Sequence, residues 1–210
     1  MKVKPPQELQ PPQEVAFSIQ RIDVRLRDYD GALLVVRNFS EKAKTEIRDK
    51  QAKKARQAKS QRKPEEECDA ARYLDAEGRE CVPLMAIKKS IVNAATAFED
   101  LTKVALRQAL FVAPLDGGML VPIETYDGKP HRGTMREDAV TLSGGVRGLA
   151  YRPQYEHWQL IVRIEYNPHL VSKEQLMALI AHAGWGVGIG EGRPEKSSAL
   201  GWGRFRVETL

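Results

Sequence analysis

The alternation of apolar and polar positions is clearest near the two ends of the chain. Over residues 15–26 it sets Phe17 and Ile19 in one phase and Ile22, Val24 and Leu26 in the other, which predicts a strand with a bulge near Gln20 and Arg21. Leu33, Leu34, Val35 and Val36 follow as a short apolar run and predict a buried segment. Trp158, Leu160, Val162, Ile164 and Tyr166 alternate with Gln159, Arg163 and Glu165, with Ile161 the one exception, so a long half-buried strand is predicted up to Asn167 and Pro168. Beyond it the apolar period lengthens to that of a helix. Ser172 and Gln175 have capping-box spacing, Val171 and Leu176 occupy the staple positions, and Leu176, Leu179, Ile180 and Ala183 form the core stripe. Gly184 is the expected C-terminal cap. A glycine-rich stretch and a final strand over 205–208 complete the order strand, helix, glycine loop, strand.

The middle of the chain carries one clear amphipathic helix. Ile87, Ile91, Ala94, Ala95 and Phe98 share a face, Lys88 and Lys89 point outward, and Cys81, Val82 and Pro83 lead in after a turn at 73–79. Residues 106–113 and 119–124 flank Asp116, Gly117 and Gly118, which predicts a β-hairpin. Residues 126–153 are irregular and glycine-punctuated, carry His131, Arg132, Arg136, Arg147 and Arg152, and predict a mobile or hairpin-like excursion. Between Ser40 and Lys63 there is almost nothing apolar except alanine and Ile47. Lys42, Lys44, Arg48, Lys50, Lys53, Lys54, Arg56, Lys59, Arg62 and Lys63 face only Glu41, Glu46 and Asp49. These are good helix formers without a docking stripe, so the segment predicts a helix in solvent or against an anion, ended by Pro64 and Glu65, Glu66 and Glu67.

Charge adds less than its distribution does. Lysine and arginine number 33 against 28 acids, a formal net charge of +5, which favours polyanionic partners modestly. The two cysteines, Cys68 and Cys81, fit neither a disulfide framework nor a four-cysteine zinc site, and a reducing cytoplasm is expected. Residues 1–14, with paired prolines among glutamines, read as a disordered arm with no apolar h-region. No later stretch is long and apolar enough to span a membrane. One domain over 15–210 is expected, with insertions at about 40–80 and 126–153.

The glycines at 186, 188, 190 and 192 follow a helix rather than preceding one, and no Gly-Lys-Ser/Thr occurs, so neither nucleotide-binding fingerprint fits. No cofactor is expected. His131, His157, His169 and His182 are scattered, and Asp116, Asp127 and Asp138 sit in turn-like sequence, so no metal site is expected and a non-catalytic role is favoured. His182 lies on the last helix next to the glycine loop and reads as a helix C-terminal residue interacting with the dipole. The glycine loop either points backbone amides at an anion or merely makes a tight connection. Arg193, Lys196, Arg204 and Arg206 around it suit a phosphate backbone. Tyr126, Tyr151 and Tyr155 are available for stacking on bases or for packing at a strand rim.

The run from Gly188, Ile189 and Gly190 through Arg193 to Gly201, Trp202, Gly203, Arg204 and Phe205 resembles the glycine-rich loop of the RAMP superfamily, the RNA-binding subunits of CRISPR effector complexes. Val82, Pro83, Leu84, Met85, Ala86, Ile87, Lys88, Lys89, Ser90 and Ile91 are similar to the segment that opens the first core helix of that family's backbone-type subunits. The family has glycine and serine where this chain has Leu84, Met85 and Ala86, and residues 194–200 lengthen the loop. In overall texture the chain also resembles bacteriophage proteins of this size, which implies a free-standing relative. The resemblance implies an α+β, ferredoxin-like (RRM-like) β-α-β core with an antiparallel sheet, a C-terminal glycine-rich loop and a basic helical insertion. It implies binding of single-stranded nucleic acid, RNA ahead of DNA, in a homo-oligomeric or multi-subunit nucleoprotein. The residues expected to bind are Gly188, Gly190, Gly192, Arg193, Lys196, Gly201, Gly203 and Arg204, with Lys88, Lys89, Lys53, Lys54, Arg56, Arg132 and Arg136. The alternatives are a metal-independent endoribonuclease of the same fold, for which the resemblance makes His182 the candidate general base, and an assembly protein whose basic helix meets an acidic protein partner.

Overall fold

The structure is a computed structural model that describes residues 18–38, 44, 47–49, 51–52, 63–141, 145, 147–197 and 200–210. In chain order its elements are β1 (Gln20–Asp28), β2 (Leu34–Val35), α1 (Pro64–Ala70), β3 (Cys81–Pro83), α2 (Leu84–Ala94), α3 (Lys103–Ala109), β4 (Leu110–Ala113), β5 (Leu120–Pro122), β6 (Glu124–Thr125), β7 (Thr134–Thr141), β8 (Arg147–Tyr155), β9 (Trp158–Tyr166), α4 (Lys173–His182) and β10 (Phe205–Thr209). The main sheet has the order β10-β1-β9-β4, every neighbour antiparallel, with β6 added against the start of β9. A second sheet, β2-β8-β7, is built on the long β7–β8 hairpin, and β3 pairs with β5. The chain is thus mixed α and β with antiparallel sheets, and no described helix is long and apolar enough to cross a membrane.

The period-two pattern explains the sheet. Ile22, Val24 and Leu26 stand opposite Ile164, Val162 and Leu160, and all six are buried. The other phase carries charge: Arg21 bonds Glu165 at 2.7 Å and Arg163 bonds Asp23 at 2.8 Å, both pairs directly opposite in register. The Arg163 guanidinium holds the Asp23 carboxyl below its ordinary range. Ile87 and Ile91 of α2 and Leu176, Leu179 and Ile180 of α4 join the apolar face in one core. The capping box of α4 is present, with Ser172 accepting from the Gln175 amide at 3.2 Å and Gln175 accepting from the Ser172 amide at 3.0 Å.

Four expectations change. The register of β1 against β9 runs unbroken from Gln20 to Arg27, without a bulge; Ile19 precedes the strand and is exposed, and Phe17 lies outside the described residues. Pro64, Glu65, Glu66 and Glu67, expected only to close the basic segment, begin a helix of their own, since proline suits a first helical position and the glutamates favour the positive end of the dipole. Residues 106–124 are not a hairpin. Thr102 caps α3 by accepting from the Ala105 amide at 3.1 Å, β4 pairs with β9, and β5 pairs with β3. Gly184 is not the cap of α4, because a wide helical turn, Ala183–Val187, continues to Gly188 at φ 72°. Of the basic segment, Lys44, residues 47–49 and Gln51 are helical, whereas Lys53, Lys54 and Arg56 lie outside the described residues.

Candidate nucleic-acid interface

A cleft of about 380 Å³ opens where the start of α2, the glycine loop and the exit of β2 meet. Pro83, Ala86, Lys89, Ser90 and Asn93 line one wall, because positions three and four apart share a helix face. Val187 to Glu191, Arg193 and Glu195 form the second wall, and Val36, Arg37 and Tyr73 close the third. The two segments that carry the family resemblance therefore face each other. A side-chain chain ties them: Asn93 donates to Glu195 at 2.7 Å, and Arg193 donates to the same carboxylate at 3.0 Å and to the Gly190 carbonyl at 2.9 Å. Tyr73 donates to the Arg37 carbonyl at 3.0 Å; burial, then the nearby Glu191, push its hydroxyl pKa up. The lining offers cations, amide and hydroxyl donors and two glutamates, a set suited to holding a ligand through hydrogen bonds and charge.

The loop is folded largely on itself. The amides of Ile189 and Gly203 donate to the carbonyls of Gly203 and Leu33 at 3.0 and 2.6 Å, and Glu191 donates to Val35 at 2.8 Å. Gly188, Trp202, Glu195, Lys196 and Ser197 also donate internally. Positive φ at Gly188, Gly190, Gly192, Gly201 and Gly203 makes these reversals possible. The glycines thus serve a tight, self-bonded connection first, and among the described residues of the loop the amides of Gly190, Gly192, Arg193, Gly201 and Arg204 are the ones without an internal acceptor.

The remaining predicted residues are spread out. Lys196 is exposed near the loop tip. Arg204 donates to the Gly201 carbonyl at 3.1 Å and its guanidinium lies 5.3 Å from the rings of both Tyr29 and Trp185, outside the cleft lining. Lys88 turns away from Lys89, donating to the Arg107 carbonyl at 3.2 Å over the ring of Phe111, and burial lowers its pKa. Arg136 is held by Asp138 at 2.8 Å and stacks 4.5 Å from Trp202, while Arg132 is exposed. Arg152 bridges Asp138 at 2.6 Å and Glu191 at 3.2 Å, so the hairpin is tied to the loop. His182 stacks edge-on against Phe98 at 5.9 Å and does not line the cleft. Among the described residues no three histidine, cysteine or acidic side chains gather as a metal site. Sequence reading missed Arg37, Tyr73, Asn93 and Glu195; Arg37 and Tyr73 flank the basic segment on both sides, and no local pattern marks them. No family model matches the chain, and no curated protein matches it.

Proposed function

We propose that this protein binds single-stranded nucleic acid, RNA ahead of DNA, along the sugar-phosphate backbone, without catalysis, as several copies side by side in the cytoplasm. What supports the reading is one convergence: Pro83, Ala86 and Lys89 from one segment similar to the RAMP superfamily, and Gly188, Ile189, Gly190 and Arg193 from the other, line a single cleft together with Arg37. The sheet order β10-β1-β9-β4, with helices between β1 and β4 and between β9 and β10, supports the reading of a ferredoxin-like core. In the sequence the basic segment follows directly on Arg37 and Asn38, and its ten lysines and arginines suit a phosphate backbone. The position of His182 outside the cleft favours binding over cleavage.

Fluorescence anisotropy with a labelled single-stranded RNA, titrated at several salt concentrations, tests this. Affinity falls steeply with salt, and Lys89→Ala with Arg193→Ala makes the slope shallower by about 0.7 per lost phosphate contact. An unchanged slope removes the cleft from the interface. Absence of binding to any single strand at low salt, with oligomers still formed, sinks the reading and favours an assembly protein.

A further inference from the structure

Beside the cleft, three segments distant in sequence build a second surface. Trp185 stands on the turn Ala183–Val187 and is 53% exposed. Its ring meets Tyr29, at the end of β1, edge-on at 5.1 Å between centroids. The Arg204 guanidinium lies over both rings, and that of Arg206 lies 4.7 Å from the Tyr29 ring centroid, with Asp30 as its ion-pair partner. The arrangement is held rigidly. The Tyr29 amide donates to the Arg204 carbonyl at 3.0 Å, and Gly184 beside Trp185 sits so close to the β10 backbone that a Cβ there would come within 2.0 Å of the Phe205 carbonyl oxygen.

We infer that Trp185, Tyr29, Arg204 and Arg206 form a stacking subsite for one unpaired nucleobase, with the guanidinium groups meeting the phosphates on either side of it; this rests on the single-strand reading above. An indole left half in water on a clamped turn is a preorganised π-face, and every base has one to match. Two cations at its edge distinguish the surface from an apolar docking patch and match a polyanion. Tyr29 meets the ring edge-on and Arg204 lies 5.3 Å from its centroid, yet half of the indole stays exposed, and that exposed part takes a flat partner.

Tryptophan emission reports on the site, because Trp158 is fully buried and Trp202 lies half-buried beneath Arg136. Adding a single-stranded RNA of about ten nucleotides should protect Trp185 from acrylamide quenching. Trp185→Ala should weaken that RNA roughly tenfold while leaving an abasic strand of equal length unaffected, and Trp185→Phe should restore most of the loss. If the RNA binds but quenching is unchanged and Trp185→Ala binds like the wild type, the subsite is wrong and the single-strand reading survives. Equal weakening of the RNA and the abasic strand overturns the stacking role. Protection that rises with protein concentration alone assigns the surface to a second copy of the chain and overturns it too. Absence of any single-strand binding removes both proposals together.

Discussion

A methyl group on Gly203 would stand 1.7 Å from the Ile189 carbonyl oxygen, at a residue whose φ is already 65°. Neither the backbone of Ile189 nor the loop hydrogen bonds around it can yield cheaply. Gly203→Ala should therefore cost at least about 3 kcal/mol in urea unfolding. Gly186→Ala is the contrast: its nearest neighbour is the movable His182 ring at 3.3 Å and its φ is not positive, so the change should stay within about 1 kcal/mol. The two glycines look alike in the sequence. A glycine's position is legible there, but whether the nearest atom is a ligand or the protein's own carbonyl is not, and the expectation of a phosphate cradle met mostly internal bonds for that reason.

At the scale of elements, Glu80 joins pieces that propensity alone would leave separate. Its carboxylate accepts from Arg72 just after α1, from the Gly133 amide before β7 at 3.0 Å, and from the Tyr155 hydroxyl at the end of β8 at 2.6 Å. Glu80 and Tyr155 are buried, and Arg72 is largely so. Glu80→Ala strands a buried guanidinium, a hydroxyl and an amide, and should cost about 3–5 kcal/mol. Tyr155→Phe removes one donor and should cost about 1 kcal/mol, a difference that chemical denaturation resolves. The elements themselves were readable where their apolar period is long, as in β9 and α4. The predicted hairpin over 106–124 failed because turn chemistry at Gly117 and Gly118 says that the chain reverses, not which strand it meets. Leu110 pairs with Tyr166, far along the chain, and nothing local to either residue announces it.

Over the whole molecule, strands and helices are more legible in the sequence than surfaces are. Alternation and helical stripes predict the long strand over 158–166 and the helices at 87–98 and 172–183, whereas the cluster of Tyr29, Trp185 and Arg204 exists only once three distant stretches have met. Global integrity has a simple chemical probe in Cys68 and Cys81, both buried. Burial first, then the neighbouring Asp75, push the Cys81 thiol up to about 12, and burial raises Cys68 as well. At pH 8 neither should be thiolate, so Ellman's reagent should find no thiol in the native protein and both after urea unfolding, with the rate following the global transition. A reactive thiol without denaturant would mean that α1 or β3 opens alone. The strand β1 lies between β9 and β10, both far along the chain from it: Asp23 and its partner Arg163 are 140 positions apart, and Arg25 and its partner Glu208 are 183 apart. During synthesis it must wait, with both edges unpaired, until those two distant strands have left the ribosome, and premature termination just before Phe205 would release a product whose β1 never gains its neighbour on one side.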